Sequence, residues 1–415
     1  MIITICFLYL LLPFQVALDP LPGFDVASVR VIIPLLVGAW LFISLISRTI
    51  RISPRIQTPL LLSFLFLSAF SLVNAHEVSW GLRKLFFLLS FFPLYLVLAA
   101  LIDSEEKILR LTKYVVFGSF ALAIVGIFQF LLQFVFSFDT LFRFWTRFVL
   151  PPFLGASFAQ SVADYPSIFV NIGGHTMMRA VAVFPDPHML SFYLGMTAPL
   201  AIGLALVLPK RRTFFFIAAA TILLADLLTF SRGGYLGLIG GSLFLLALQY
   251  RQWSARIKKT IVAVFMLITI IIIASPIGTR LSSSFDTSEG SNQGRLAMWR
   301  AAVDSIGEHP LIGVGLGNYS LAVKPSAAYR DPIYAHNLFL DIAAETGIIN
   351  ALMFLTLLLT SAYALFKRSE KSSFFLWPAV SLVIFATHSL VETPLYSVHV
   401  VPLLIFLLAL SAHRK

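Results

Sequence analysis

Charged residues and cysteine are scarce in this chain of 415 residues. Only 12% of the residues are charged, 59% are hydrophobic, and the mean hydropathy is +0.92. A water-soluble protein of this length could not bury so much apolar surface, so the composition excludes an ordinary soluble domain. It predicts an all-α polytopic membrane protein. The single cysteine, Cys6, excludes an internal disulfide.

Long apolar runs occupy most of the chain. A membrane-spanning helix needs about 20 mostly apolar residues. By this measure the sequence predicts about twelve transmembrane helices in one domain, residues 1–415. The predicted spans are 2–18, 30–47, 57–74, 85–102, 114–136, 188–208, 213–230, 234–250, 260–275, 337–366, 374–390 and 399–412. We expect the first to be a retained anchor, because no basic region precedes it and no small-x-small cleavage site follows.

The basic residues are distributed unevenly among the connectors. Every second connector, together with the C-terminus, holds 18 of the 30 basic residues but only four of the 19 acidic residues. Basic connectors stay in the cytoplasm, so both termini are predicted to be cytoplasmic. The formal charge of +11 therefore reflects membrane topology and does not indicate nucleic-acid binding.

Two connectors on the predicted outer side are long, at 137–187 and 276–336. Long loops usually carry function. The second one leads into a run, AHNLFLDIAAETGIIN, that places polar residues at the outer end of the predicted span 337–366.

Four polar residues in this run are the first candidates for a site. Asn337, Asp341 and Glu345 share one helical face, and His336 precedes them at the mouth of the same helix. A charge at the bilayer centre costs about 2.5–3.5 kcal/mol. The run therefore predicts a wet or protein-lined cavity, with helix capping and structural hydrogen bonds as the alternative.

Arg232 lies in the short turn FSRGGYLG on the same predicted side, where Gly233 and Gly234 are expected to allow a tight reversal. An arginine held at the membrane plane outside the cytoplasm either snorkels to lipid headgroups or binds a buried anion. Its planar fork suits a lipid-linked phosphate.

The segment GRLAMWRAAVDSIGEHPLIGVGLGNY, residues 294–319, begins with a predicted amphipathic helix over 295–306. Arg295 starts this helix, and its expected apolar face is Leu296, Trp299, Ala302, Val303 and Ile306. The following GVGLGNY is rich in glycine but lacks the strand–turn–helix context of a nucleotide loop. We expect it to let backbone approach a ligand or another helix.

Two further polar pairs have a simple alternative explanation. Arg179 and His188 flank a Pro-Asp-Pro turn, which can serve only to begin the next span. His388 and Glu392 are four residues apart, and a hydrogen bond at a helix end accounts for them. Histidines and carboxylates lie on the outer side without metal-ligand spacing, so no metal is predicted.

The order of these motifs resembles one family. His336-Asn337, nine residues and then Gly347 resemble the H-[NSQ]-x9-G-x-x-[GTY] signature of the O-antigen ligase family, with Asn350 as a departure that bears on helix packing. The SRGG turn at Arg232 and the segment from Arg295 resemble the same superfamily, as does the stretch from Arg179 to His188. The resemblance covers about 175–350.

This resemblance implies a bundle of the C-type glycosyltransferases with its active site on the outer face of the bacterial inner membrane. It implies an inverting, metal-independent transfer without a cofactor. The implied donor is a glycan on undecaprenyl diphosphate, and the implied acceptor is the lipid A core or another glycan. By motif, the catalytic residues are His336, Arg232 and Arg295. Candidate substrate-binding residues are Arg179, His188, Asn337, Asp341 and Glu345.

The chemistry of the residues agrees with this expectation. Two guanidinium groups can neutralise a departing diphosphate. Nearby cations are expected to lower the pKa of His336, so that a neutral imidazole takes the acceptor proton. Asp341 or Glu345 orients the imidazole or pairs with an arginine, and the sequence leaves open which.

Several alternative functions remain at this point. A polymerase of repeat units from the same superfamily is the first, and a protein O-oligosaccharyltransferase is another. A transporter would carry polar residues deep in several spans, whereas here Asp226 is a rare deep acid.

Overall fold

The computed structural model describes residues 1–21, 24–50, 52–164, 167–172, 174–249, 290–329 and 333–413. These ranges are mostly helical, with two short antiparallel hairpins. The helices are α1 (Ile2–Leu11), α2 (Val29–Ile46), α3 (Gln57–Phe70), α4 (Val78–Phe91), α5 (Leu94–Leu101), α6 (Glu105–Leu132), α7 (Phe138–Phe144), α8 (Pro151–Leu154), α9 (Ala156–Asp164), α10 (Pro187–Val207), α11 (Arg212–Leu227), α12 (Arg232–Gln249), α13 (Gly290–Glu308), α14 (Tyr319–Val323), α15 (Leu338–Thr346), α16 (Ile348–Ser369), α17 (Leu376–His388) and α18 (Val400–Ser411). The hairpins pair β1 (Ala17–Leu21) with β2 (Phe24–Ala27) and β3 (Phe169–Ile172) with β4 (His175–Met178).

Six helical segments among the described residues are long and apolar enough to cross a membrane. They are Val29–Ile46, Gln57–Asn74, Val78–Leu101, Glu105–Leu132, Pro187–Val207 and Ile348–Ser369. Shorter apolar helices are Ile2–Phe14, Arg232–Leu248, Ser373–His388 and Val400–Ser411. The prediction of a helical multi-pass membrane protein is confirmed, but the number twelve is not. The predicted span 213–230 corresponds to the helix α11, and 260–275 lies outside the described residues.

Contacts bring several of the basic connectors together at one end of the bundle. Arg368 donates to the Leu410 carbonyl at 2.7 Å, and Ser372 donates to Glu105 at 2.7 Å. Ser53 donates to the Ala412 carbonyl at 3.1 Å, and the His413 ring contacts the Ile102 carbonyl at 2.8 Å. These connectors are those that the charge pattern grouped on one side. Their orientation toward the cytoplasm stays a prediction.

The helix α10 is the most deeply buried of the six spans, since 83% of its most apolar 18-residue stretch lies inside the protein. A helix that is apolar all round belongs in the interior. Asp186 caps it by accepting hydrogen bonds from the backbone N–H groups of His188 and Met189, and Pro187 occupies the first turn. His188 is thereby fixed at the end of the central helix.

The outer connector 137–187 folds into a small unit of its own. The helices α7 to α9 and the β3–β4 hairpin enclose a separate apolar cluster that includes Leu141, Trp145, Leu150 and Met178. This cluster packs against the last turns of α6. The unit begins close to the end of α6 and ends at Asp186.

The predicted amphipathic helix at 295–306 exists and is longer, because α13 runs over Gly290–Glu308. Only part of its expected apolar face is buried. Ala302 is fully buried, whereas Leu296 and Val303 are 39% and 56% exposed. The Tyr319 hydroxyl donates to the Met298 backbone carbonyl of α13 at 2.8 Å. A hydrogen bond to the backbone therefore helps to hold this helix, in addition to its apolar side chains.

Glycines at positive φ let the GVGLGNY segment enter between helices. Gly313 has a φ of +75°, and a Cβ there would overlap the Glu345 backbone. Gly315 has a φ of +95°, and a Cβ there would overlap the Ala75 backbone. The expectation of close backbone approach is confirmed. Gly313 packs against α15, and Gly315 packs against the residues that precede α4.

The predicted single span at 337–366 is wrong, because Gly347 separates α15 from α16. Gly347 has a φ of +88° and a ψ of +158°, which only glycine adopts readily. A Cβ at this position would overlap the Leu311 carbonyl oxygen, and the Ile348 N–H donates to the Pro310 carbonyl at 2.9 Å. Asn350, the departure from the family signature, donates to Ser68 at 3.0 Å and joins α16 to α3.

We expect the Gly347→Ala substitution to lower stability, because it adds both backbone strain and a steric overlap. A strained backbone position costs about 1–3 kcal/mol. The midpoint of thermal unfolding in detergent, followed by circular dichroism, measures the effect. Gly38→Ala is the matched control, because Gly38 lies inside α2 with nothing within 4 Å of its added Cβ. Equal midpoints for the two variants would contradict the role of Gly347.

Candidate active site

The carboxylate of Glu392 is the meeting point of the candidate residues. It lies in the connector between α17 and α18, and the residue is 8% exposed. His336 Nδ1 is 2.8 Å from Oε1 of Glu392. Arg295 Nη2 is 3.6 Å from Oε2, and His188 Nδ1 is 3.9 Å from the same oxygen. Three residues predicted from separate motifs therefore converge on a fourth.

His336 is held in an unusual backbone conformation. Its φ is +50°, in the left-handed region that few non-glycine residues adopt. Neighbouring residues fix it on both sides, since the Leu338 N–H donates to the Ser389 carbonyl at 2.9 Å and the Ala335 N–H donates to Asp341 at 2.7 Å. Strained residues of this kind cluster at functional sites.

Asn337 and Asp341 position the loops that carry His336 and Glu392. The side-chain oxygen of Asn337 caps α15 by accepting hydrogen bonds from the backbone N–H groups of Phe339 and Leu340. Its side-chain NH2 group donates to the Leu390 carbonyl at 2.9 Å. Asp341 accepts from the backbone of Ala335 and from the Thr393 hydroxyl. These side chains therefore join the two loops, and direct contact with a substrate stays a prediction for both.

Glu345 forms a buried ion pair away from the arginines. Its Oε1 lies 2.6 Å from Lys84 Nζ, and the two side chains are 7% and 15% exposed. Lys84 also lies near the rings of Tyr396 and Tyr334, at 4.6 Å and 5.3 Å. The acid that supports the histidine is thus neither Asp341 nor Glu345 but Glu392.

Arg232 is the first residue of α12 and is 8% exposed. Ser231, immediately before it, lies 3.0 Å from His188 Nδ1 through its hydroxyl. His188 in turn faces Glu392, so the turn that carries Arg232 is tied to the same cluster. The preceding residue, Phe230, has a φ of +49°.

The sequence predicts that the glycines beside Arg232 form the turn, and this prediction is wrong. The left-handed residue is Phe230, and both glycines lie in the first turn of α12. A Cβ on Gly233 would overlap the His388 ring, and a Cβ on Gly234 would overlap the Ser191 hydroxyl. Their role is close helix packing beneath Arg232.

Arg179 supports the same turn from the outer connector. It is 3% exposed, and its Nε donates to the Thr229 carbonyl at 2.6 Å. Its Nη1 donates to the Ser167 carbonyl at 3.1 Å. These contacts hold the connector against residues 229–232, and a contact of Arg179 with substrate stays a prediction.

The explanation of His388 and Glu392 as a helix-end hydrogen-bonded pair is wrong. Neither ring nitrogen of His388 has a hydrogen-bond partner among the described residues. The ring stacks on Phe192 with centroids 3.5 Å apart and planes 2° apart. Glu392 instead reaches across to His336.

The charges around Glu392 shift the pKa values of both members of the pair. Burial alone would raise the pKa of the Glu392 carboxyl, but the His336 hydrogen bond and the adjacent positive charges lower it to about 2. The same hydrogen bond raises the pKa of His336, against the effects of burial and of Arg295. The expected lowering by cations is therefore wrong, because the carboxylate outweighs them.

The sequence pattern gave Glu392 only a helix-end hydrogen bond with His388 and no place in the site. A signal was present, since Glu392 is the only acid between residues 371 and 415. An isolated acid in so apolar a stretch needs a partner. The partner lies 56 residues away, so the sequence alone could not name it.

The fold and this cluster define a multi-pass membrane protein with a polar site of basic residues, histidines and a carboxylate. Residues 215–355 match the family model described as O-antigen ligase. The match covers about a third of the chain and confirms the resemblance to this family. The match includes Arg232, Arg295 and His336. None of the curated proteins matches the chain.

This family implies an enzyme of the glycosyltransferase or ligase type that uses a lipid-linked glycan donor and a glycan acceptor. The described residues hold no group of three histidines, cysteines or acids arranged to bind a metal ion.

We expect Glu392→Gln to lower the pKa of His336, because the charged acceptor that favours the imidazolium is removed. Histidine-ring chemical shifts across a pH series, assigned with His336→Ala, measure that pKa. Glu308→Gln is the control, since Glu308 is an exposed acid at the far end of the helix that carries Arg295. An unchanged His336 pKa in a folded Glu392→Gln protein would contradict the pairing.

Proposed function

We propose that this protein transfers a glycan from undecaprenyl diphosphate to an acceptor sugar at the outer face of the bacterial inner membrane, as an O-antigen ligase does. The proposal rests chiefly on one observation: His336 and Arg295 both face Glu392, and His188 links the Arg232 turn to it. A base and cationic groups in one small volume suit the attack of a hydroxyl on a sugar that carries an anionic leaving group.

The leaving diphosphate is the part of the donor that needs positive charge. As the bond between the anomeric carbon and the phosphate oxygen breaks, its electron pair passes to the diphosphate. Preorganised cations stabilise such developing charge best in a site that excludes water. Arg232, buried at the start of α12, and Arg295 on α13 supply guanidinium groups, which can bind phosphate oxygens bidentately.

His336 is the base that accepts the proton of the acceptor hydroxyl. With its Nδ1–H donated to Glu392, the nitrogen left to accept a proton is Nε2. The His336 side chain is 43% exposed, so an acceptor can reach it. The acceptor oxygen then attacks the anomeric carbon directly, which inverts the configuration and requires no covalent intermediate.

Glu392 acts on the reaction through His336. It fixes the ring orientation and the tautomer, and it stabilises the imidazolium that forms when the proton arrives. The same arrangement is used by carboxylates that support histidine bases in other enzymes. The cost is a raised pKa, so the base is active only above that value.

A ligase and a repeat-unit polymerase share every step above and differ only in the acceptor. The product of a reaction with defined acceptors separates them. Purified protein is supplied with the lipid diphosphate-linked glycan, a core oligosaccharide and a second repeat unit, with and without EDTA. We expect transfer to persist in EDTA, and loss of transfer on chelation would overturn the metal-independent mechanism.

The rate of transfer is expected to fall as the pH falls through the raised pKa of His336, because the imidazole must be neutral to accept a proton. In Glu392→Gln this acid limb is expected to move to lower pH while the maximal rate falls. Arg300→Gln serves as the control and should leave the limb in place. A limb at the same pH in the wild type and in Glu392→Gln would show that the titrating group is not His336.

Substitutions His336→Ala, Arg295→Gln and Arg232→Gln are each expected to reduce transfer by about 100-fold or more while the protein stays folded. Arg300→Gln is matched to Arg295→Gln, because Arg300 is an exposed arginine on the same helix. Initial rates are measured with the lipid-linked donor, and the unfolding midpoint reports folding. Wild-type turnover in any of the three variants removes that residue from the mechanism.

A further inference from the structure

A second group of aromatic and basic side chains lies at the start of α4 and of α2. The Tyr329 ring contacts the Trp80 ring, with centroids 5.5 Å apart and planes at 66°. The Arg83 guanidinium lies 4.6 Å from the centre of the Tyr329 ring. Arg30, at the start of α2, lies close enough to interact electrostatically with Tyr329. Arg30, Trp80, Arg83 and Tyr329 are called the rim patch below.

The two guanidinium groups of the rim patch have no compensating acid among the described residues. Neither Arg30 nor Arg83 forms an ion pair there, whereas the adjacent Lys84 is paired with Glu345. The Arg30 Nε is buried without a hydrogen-bond partner in the described part of the chain. A buried donor of this kind costs free energy unless a ligand or water satisfies it. The rim patch therefore carries unbalanced positive charge.

The aromatic members of the rim patch are accessible to a ligand. Tyr329 is 38% exposed, and Trp80 is partly exposed. The Arg30 guanidinium lies 5.1 Å from the centre of the Phe87 ring, and that contact orients it beside the patch. Tyrosine and tryptophan side chains have an apolar face and a polar tip, which suits the mixed surface of a sugar ring. Arginine binds carboxylate and phosphate groups through its planar fork.

The rim patch is connected to the candidate active site through Lys84. This residue follows Arg83 and lies near the rings of Tyr334 and Tyr396. Tyr334 is two residues before His336. A small cavity beside Lys84 is lined by both tyrosines, Asp341 and Thr393, the residue next to Glu392.

The rim patch and the cationic side of the site are carried by different elements. Arg232, Arg295 and His188 are carried by α12, α13 and α10. The rim patch is carried by α2, α4 and the segment after α14. If the cations hold the diphosphate of the donor, the acceptor must reach His336 by another route, and the contacts of Arg83 and Lys84 lead from the rim patch to Tyr334, two residues before His336.

We infer that the rim patch is an acceptor subsite for an anionic sugar, one that bears a phosphate or carboxylate group. Arg30 and Arg83 bind the anionic group, and Trp80 and Tyr329 pack against the ring. The glycan then extends past Tyr334 toward His336. The assignment of this sugar as the acceptor rests on the proposed function, whereas the binding of an anionic sugar can be tested without any transfer.

Binding is tested by saturation-transfer NMR on the full-length protein in nanodiscs of zwitterionic lipid. The probes are glucose 6-phosphate, glucuronate, glucose and inorganic phosphate. We expect signals from the two charged sugars to exceed those from glucose, and to fall to the glucose level in Arg30→Gln/Arg83→Gln. Arg143→Gln, an exposed arginine of the 137–187 connector, is the matched control and should bind as the wild type does.

Three results would overturn the inference. One is equal binding of charged and neutral sugars, and another is unchanged binding in the double variant. The third is competition by inorganic phosphate as effective as that by glucose 6-phosphate, which would mean a general anion site, such as one for lipid headgroups. Arg295→Gln and His336→Ala should both retain sugar binding, so a loss there would place the subsite on the donor side.

Transfer kinetics separate this inference from the proposed function. With an anionic acceptor, Arg83→Gln should raise KM about tenfold with little change in kcat, since a lost charge-assisted hydrogen bond reduces binding by that order. With a neutral acceptor, the same substitution should change neither constant. If the wild type binds the sugars but transfers nothing, the subsite stands and the proposed function is overturned. If the wild type transfers glycan and Arg83→Gln has no effect, the proposed function stands and the subsite is overturned.

Discussion

The carboxylate of Glu392 is the constraint on which the site depends. A buried carboxylate is costly unless charges and hydrogen bonds compensate it, and removing one partner of a buried pair leaves the other uncompensated. Here His336 supplies the hydrogen bond, and Arg295 and His188 supply nearby polar groups. The hydrogen bond fixes His336 relative to the carboxylate, and Arg295 and His188 lie within 4 Å of the same group. The geometry of the site is set by one short connector, between α17 and α18, that meets three other parts of the chain.

The fold also holds this connector by hydrogen bonds that do not involve Glu392. The Ser389 and Leu390 carbonyls accept hydrogen bonds from Leu338 and Asn337, and Thr393 donates to Asp341. All of these contacts are made by α15 or by the residue that caps it. Since Gly347 ends α15 after nine residues, this helix can turn away from the membrane-spanning direction of α16 and present its first turn to the connector. A continuous helix, as the apolar pattern predicts, would not be free to do so.

The sequence was sufficient where the signal is local. The apolar runs predict the long spans, the alternation of basic residues predicts which connectors share one end of the bundle, and spacing predicts the family motif at His336. It was insufficient where a partner is distant along the chain. Glu392 is 56 residues from His336, and Lys84 is 261 residues from Glu345, so no periodicity relates them. The break at Gly347 was missed for the same reason, because the space for a Cβ is taken by Leu311 of another segment.

The distances from the Glu392 carboxylate to His336 and to Arg295 show that it interacts with these two residues in different ways. His336 is within hydrogen-bonding distance of the carboxylate at 2.8 Å, whereas Arg295 is beyond it at 3.6 Å. The carboxylate thus gives its hydrogen bond to the imidazole, and its effect on Arg295 is electrostatic alone. This pairing does not consume the guanidinium N–H donors, which phosphate oxygens need. In the proposed mechanism a single acid can therefore orient the base and balance the charge of a cation without blocking it, because orientation requires a hydrogen bond and charge balance requires only proximity.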